Sequence, residues 1–156
     1  MRTEPISCYR PTPDRVATFA SLPYDVFDRD QAAIYVRAHP GSFLTIDRPE
    51  TAFSPHHDMY APEVYAKAAQ ILRLRIEDGT LVEDTSPCYY LYRLEQNGHS
   101  QTGVVCACSI DEYEDGTIRR HESTTAAKET DRIEHIKATG ADRKSTRLNS
   151  SHGSAS

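Results

Sequence analysis

This chain has no tryptophan, two methionines and four phenylalanines. A core is therefore left to aliphatic residues and to tyrosine, of which there are nine. It has no apolar run near the roughly 20 residues that a helix needs to cross a bilayer, so no membrane partner is expected. Its first residues, MRTEPISCYRPTPDRVA, lack the apolar stretch of a secretory signal, which makes the cytoplasm the expected compartment. The four cysteines, Cys8, Cys88, Cys106 and Cys108, contain no C-x-x-C pair. The usual spacing of zinc ligands is missing with it, which makes zinc the lesser alternative to reduced, mostly buried thiols. Cys106 and Cys108 are two apart and fall on one face of a strand. An excess of positive charge is missing too. Lysine and arginine number 18 against 23 aspartates and glutamates, a formal charge of −5, which disfavours nucleic acid as a partner. No Walker-type G-x-x-x-x-G-K-[ST] and no kinase glycine-rich loop occurs, so the usual ATP motifs lend no support.

What is present fits one domain, or a piece of one, at 156 residues. Residues 142–152 read DRKSTRLNSSH, which resembles a translated sequencing-library adapter. Residues 1–141 are accordingly expected to form the natural, truncated domain, and 142–156 a disordered tail. Within the domain, residues 15–20 suit a short strand or a connector. Pro23 opens a loop that holds Asp25, either as a turn carboxylate or at a binding rim. Asp28-Arg29-Asp30-Gln31 has the form of a capping box, and the helix it starts should stop at His39-Pro40-Gly41. Residues 42–46, SFLTI, alternate as a strand should. Arg48 follows, either in a surface turn with a local ion pair or at a strand end facing a ligand. His56-His57-Asp58 is read as loop rather than metal site, because neighbours on an extended chain point to opposite sides.

Pro62 suits the first turn of a second helix, which Gly79 ends near residue 77. Residues 88–94 are rich in strand formers, and Asn97-Gly98 is a hairpin turn. The returning strand, TGVVCACS, is apolar enough to be expected at the centre of a sheet. Tyr90 and Tyr92 share one face, as half-buried sheet residues rather than a base-stacking platform. Asp115-Gly116 makes another turn, and residues 117–122 are expected as the next strand. Thr124 or Thr125 caps a last helix. Its apolar side carries Ala126, Ala127, Ile133 and Ile136, and Lys128, Asp131, Arg132 and His135 form the opposite stripe. The sum is an α+β fold, a mixed or mostly antiparallel sheet with helices packed on it.

Residues 117–132, TIRRHESTTAAKETDR, are crowded with ionisable side chains. At a strand-to-helix corner, backbone N–H groups and cations share one rim, where a phosphate or carboxylate can be held. The plainer alternative is a solvated helix face. On the first reading Arg120, Lys128 and Arg132 supply charge, with Arg48 and Asp25 nearby, and Glu122 or His121 serves as base.

Tyr24-Asp25-Val26, Ser42-Phe43-Leu44, Arg48-Pro49-Glu50, His121-Glu122-x-Thr124 and Lys128-Glu129-x-Asp131-Arg132 resemble a bacterial and archaeal family. It is catalogued as domain of unknown function family 1015. The resemblance runs from Arg2 to about Ala141. The family continues into an Asp-Gly-His-His-Arg motif that this chain lacks, similar to the phosphate-handling signature of the ParB and sulfiredoxin-like fold, which includes free-serine kinases. The resemblance implies a nucleotide- or phosphate-dependent activity for the intact protein, with half of the site on this chain; phosphoryl transfer to a small molecule, with ATP or ADP and Mg²⁺ as cofactor, is the first reading of it. The alternative it leaves open is a non-catalytic nucleotide- or anion-binding module.

Overall fold

The computed structural model describes residues 2–119 and 125–142. In chain order the elements are β1 (Thr3–Glu4), β2 (Tyr9–Pro11), α1 (Val16–Phe19) and a 3₁₀ turn (Tyr24–Val26). Then come α2 (Arg29–Ala38), α3 (Leu44–Asp47), a second 3₁₀ turn (Pro49–Ala52) and α4 (Pro62–Glu77). After these follow β3 (Leu81–Glu83), β4 (Tyr90–Gln96), β5 (His99–Val105), β6 (Ala107–Cys108), α5 (Ile110–Glu114) and α6 (Ala126–Thr139). The fold is α+β, as expected, and among the described residues its strands associate only in pairs: β1 with β6, β2 with β3, β4 with β5. The described residues divide into two compact units. Residues 9–82 and 125–142 make a helical unit, and residues 2–8 and 83–119 make a hairpin unit.

In the helical unit, α2 begins where the capping box predicts. The Gln31 backbone N–H donates to the Asp28 carboxylate at 2.8 Å, and the Asp28 N–H donates to the Gln31 side chain at 3.1 Å. Two donors that the first turn would otherwise leave bare are satisfied. Helix α4 carries Pro62 in its first turn, where a missing N–H costs nothing. It buries Val64, Tyr65, Ala68 and Ala69. Ile71, Leu72 and Ile76 pack partly buried against Phe19, Ile46 and Leu81. The chain reverses after α4 at Gly79, whose φ of 74° suits glycine. Helix α6 lies against α4.

Two stretches of this unit differ in backbone conformation from their expectation. Residues 15–20, expected as a short strand or a connector, hold the short helix α1, with Phe19 buried. Residues 42–46, expected as a strand, lead into helix α3. The reason is local bonding. The Ser42 N–H donates to His39 O at 3.0 Å, and the Thr45 hydroxyl donates to Ser42 O at 2.8 Å. Leu44, Thr45 and Ile46 are all buried in succession, which one face of a strand cannot supply.

In the hairpin unit, β4 and β5 pair antiparallel from Tyr90↔Val105 to Gln96↔His99. Asn97 (φ 50°) and Gly98 (φ 79°) close the loop in the left-handed region, as a two-residue turn of this twist requires. The β5 strand was expected at a sheet centre, but Val104 is 56% exposed and β4 is its sole partner among the described residues. An apolar run alone does not separate a central strand from a hairpin arm. Tyr90 is half-buried and donates to Asp84 at 2.5 Å, while Tyr92 is exposed. The thiols are free, but Cys88 is exposed and the other three only half-buried. The acidic stretch after β6 forms α5, whose Ser109 cap accepts from the Glu112 N–H. Residues 117–119 are not strand; Ile118 is buried and its N–H donates to Glu112 O at 2.8 Å. The remainder of that expected strand lies outside the described residues.

Candidate functional site

A cleft of about 230 Å³ opens in the helical unit. Asp25 reaches it from the first 3₁₀ turn, Asp47 from the end of α3, and Arg48 and Glu50 from the segment that follows. Tyr65 comes from α4, and Lys128, Asp131 and His135 from α6. Of the residues picked out from sequence, Asp25, Arg48 and Lys128 meet here although they come from three distant stretches. Arg120, His121 and Glu122 lie outside the described residues.

Arg48 was expected in a surface turn with a local ion pair or at a strand end facing a ligand. The ion pair forms, but the side chain is buried at the wall of the cleft rather than in a surface turn. It is 9% exposed, and its Nε donates to Glu50 Oε1 at 2.5 Å. Its Nη1 donates to Phe27 O at 2.8 Å and to Tyr24 O at 3.2 Å. A planar guanidinium has donors in a fixed fork, and here the fork grips the two ends of the turn that presents Asp25. Burying Arg48 demands a counter-charge, and Glu50, only 4% exposed, supplies it. Arg48 is thus a positioning residue for Asp25.

Helix α6 departs from the polarity expected of it. Ile133 is 44% exposed and Ala126 and Ala127 are exposed, while Ile136 is half-buried. The stripe Asp131, Arg132 and His135 turns toward protein instead. Asp131 accepts from the Tyr65 hydroxyl at 2.9 Å. His135, 3% exposed, donates from Nε2 to Ile46 O at 2.9 Å. Arg132 lies 5.8 Å over the Tyr24 ring and 3.4 Å from its hydroxyl. A polar stripe can face inward when each group finds a partner, because an unsatisfied buried group costs more than a bond gains. Arg132 therefore braces the Tyr24 side of the turn, and Lys128, one turn earlier, stays exposed at the cleft.

Tyr65 carried no signal in the sequence. Burial first, and then the hydrogen bond to Asp131, hold its phenol well above the ordinary range. Glu50 and Asp47 flank Arg48 in Asp47-Arg48-Pro49-Glu50, a cluster visible in the sequence but read there as a local turn. The cleft carries Asp25, Asp47, Glu50 and Asp131 against Arg48 and Lys128. With Arg48 and Glu50 cancelling, what is left to meet a ligand has both signs. His57 takes no part: it stacks on Phe53 at 4.6 Å and faces Glu63 at 3.2 Å. Among the described residues, no three His, Cys, Asp or Glu side chains are grouped to hold a metal ion.

The family described as protein of unknown function, DUF1015, matches residues 3–149. The chain belongs to the DUF1015 family. The matched span of this DUF1015 chain takes in both units and the whole cleft, and continues past Ala141 into the stretch set apart above as a tail. No curated protein and no solved structure matches it. Among the described residues no helix is long and apolar enough to cross a membrane.

Proposed function

We propose that this DUF1015 chain binds the phosphate end of a nucleotide in the α6 cleft, and that it serves phosphoryl transfer to a small molecule. The observation that carries the reading is the meeting of Asp25, Arg48 and Lys128 in one cleft. Phosphoryl transfer asks a protein mainly for positioning and for charge around the phosphates. Lys128 supplies a cation on a flexible stem beside the first half of α6, where the helix dipole also favours an anion. At about 230 Å³ the cleft is smaller than the roughly 300–1,000 Å³ that encloses a drug-sized ligand. It therefore takes a phosphate group or a small acceptor, not a whole nucleotide. Mg²⁺ is held in such sites by one or two carboxylates together with the phosphates, and the cleft offers Asp25 and Asp47. The ion would neutralise phosphate charge there. The sequence reading assigns further positive charge to Arg120 and the base to Glu122 or His121, three residues that lie outside the described ones.

The test is calorimetry of the chain with ADP and ATP, with and without Mg²⁺, followed by phosphorus NMR in the presence of hydroxyl-bearing amino acids. Lys128→Ala should weaken binding about tenfold, which is about 1.4 kcal/mol, and Lys128→Arg should recover part of it. Equal affinity of wild type and Lys128→Ala, or no heat with any nucleotide, sinks the reading. The absence of Walker and kinase glycine-rich motifs favours a second reading, a non-catalytic nucleotide- or anion-binding module. Binding that depends on Lys128 without any change in the phosphorus spectrum would select it.

A further inference from the structure

We propose that Cys106 and Cys108 are a redox-active dithiol that closes to an intramolecular disulfide when it meets a peroxide. Their sulfurs lie 3.9 Å apart and face one another directly. On a regular strand the Cα atoms of residues i and i+2 stand roughly 6.6–6.8 Å apart, at the outer edge of what a disulfide spans. The strand here is not regular. Cys106 falls in the one-residue break between β5, which pairs with β4, and β6, which pairs with β1. From 3.9 Å, a further approach of about 2 Å by the two sulfurs completes an S–S bond. Both thiols are half-buried, which leaves a small oxidant room to enter.

The chemistry balances with the peroxide alone. One thiolate attacks a peroxide oxygen, the O–O bond breaks, and a sulfenic acid forms with release of water after protonation. The second thiolate attacks the sulfenic sulfur; the S–S bond forms, the S–O bond breaks, and the hydroxide leaves as a second water. Two thiols are oxidised and one peroxide is reduced. Burial, the Cys106 thiol and the Glu112 carboxylate together raise the Cys108 thiol above its ordinary range, so Cys108 rests as the thiol. The pair sits at a joint. Cys108 is registered with Thr3 across β1 and β6. The next residue, Ser109, caps α5 and accepts from Arg2 Nη2 at 3.3 Å. Closing the small ring bends the strand on which both of those contacts depend.

Tryptic peptide 94–119 isolates the question, because it holds Cys106 and Cys108 and neither Cys8 nor Cys88. The folded chain is treated with hydrogen peroxide, alkylated, digested and weighed. That peptide should lose two hydrogens and accept no alkyl label until a reductant restores both sites. Cys88→Ser and Cys8→Ser should leave closure unchanged, and Cys106→Ser should abolish it. Closure should slow several-fold in urea, where the break no longer holds the thiols together. Full labelling after peroxide overturns the proposal, as does protection without the loss of hydrogens, which would mean a bound thiophilic metal ion. Dependence on Cys88 or Cys8, or equal rates in urea, overturns it too.

Discussion

Arg48 and Tyr65 carry the sharpest consequences at the scale of single residues. Arg48→Ala strands Glu50, a carboxylate only 4% exposed, with its counter-charge gone. Breaking a buried pair from one side costs about 3–5 kcal/mol, whereas replacing both members with apolar side chains of similar volume costs far less. Urea unfolding should therefore show Arg48→Ala far less stable than wild type, with Arg48→Met/Glu50→Leu recovering most of the loss. A double variant as weak as the single one would mean that the grip on Tyr24 O and Phe27 O matters more than the charge. Tyr65→Phe removes a hydrogen bond to Asp131 and should cost roughly 1.5–3 kcal/mol near neutral pH, the range for a bond to a charged group. The folded phenol titrates above its unfolded value of about 10, so its contribution is full below that pH and is lost as pH rises beyond it. The stability gap between wild type and Tyr65→Phe should accordingly narrow above pH 10. A constant gap up to pH 12 would refute the assignment.

The helices show at the scale of elements why part of the fold was legible. The Asp28 capping box is a four-residue signal, and its atoms bond as the spacing implies. Asp28→Ala should cost about 1 kcal/mol and Asp28→Ser much less, read from urea midpoints at constant slope. The Pro62 start, the Gly79 stop and the Asn97-Gly98 turn were legible for the same reason: each is fixed by backbone geometry over a few residues. Residues 42–46 were not, because five residues of alternation cannot outweigh hydrogen bonds supplied by His39 and Phe19, which lie outside the window. The polarity of α6 was hidden more deeply. Its two stripes are equally well spaced, and only the partners on other segments, Tyr65, Ile46 and Tyr24, decide which one faces inward. The site followed the same division. Asp25, Arg48 and Lys128, singled out from the sequence as ligand-binding residues, line one cleft, but the hold of Arg48 on its turn depends on two carbonyls that no spacing reveals.

Across the whole molecule, apolar burial is unevenly shared. Of the buried apolar residues among those described, Ile118 alone lies in the hairpin unit; Phe19, Ala32, Leu44, Ile46, Val64, Tyr65, Ala68, Ala69 and Leu81 all lie in the helical unit. Every buried polar side chain among the described residues is in the helical unit as well. Burial of apolar area is the main force that resists opening, and a lone two-stranded hairpin is marginal in water. On the arms of this hairpin Leu91 and Val104, opposite each other in register, are 78% and 56% exposed. Cross-strand bonds there are guarded by little more than their own geometry. Amide exchange should therefore fall into two classes. Amides in α2 and α4 should exchange only by the larger openings, and those of β4 and β5 at least about tenfold faster, a difference of about 1.4 kcal/mol or more. Leu91→Thr with Val104→Thr should hardly change the protection of α4, because the pair contributes nothing to that core. If hairpin amides were as slow as those of α4, the two units would have to open together, and apolar burial would not be what ranks their stability.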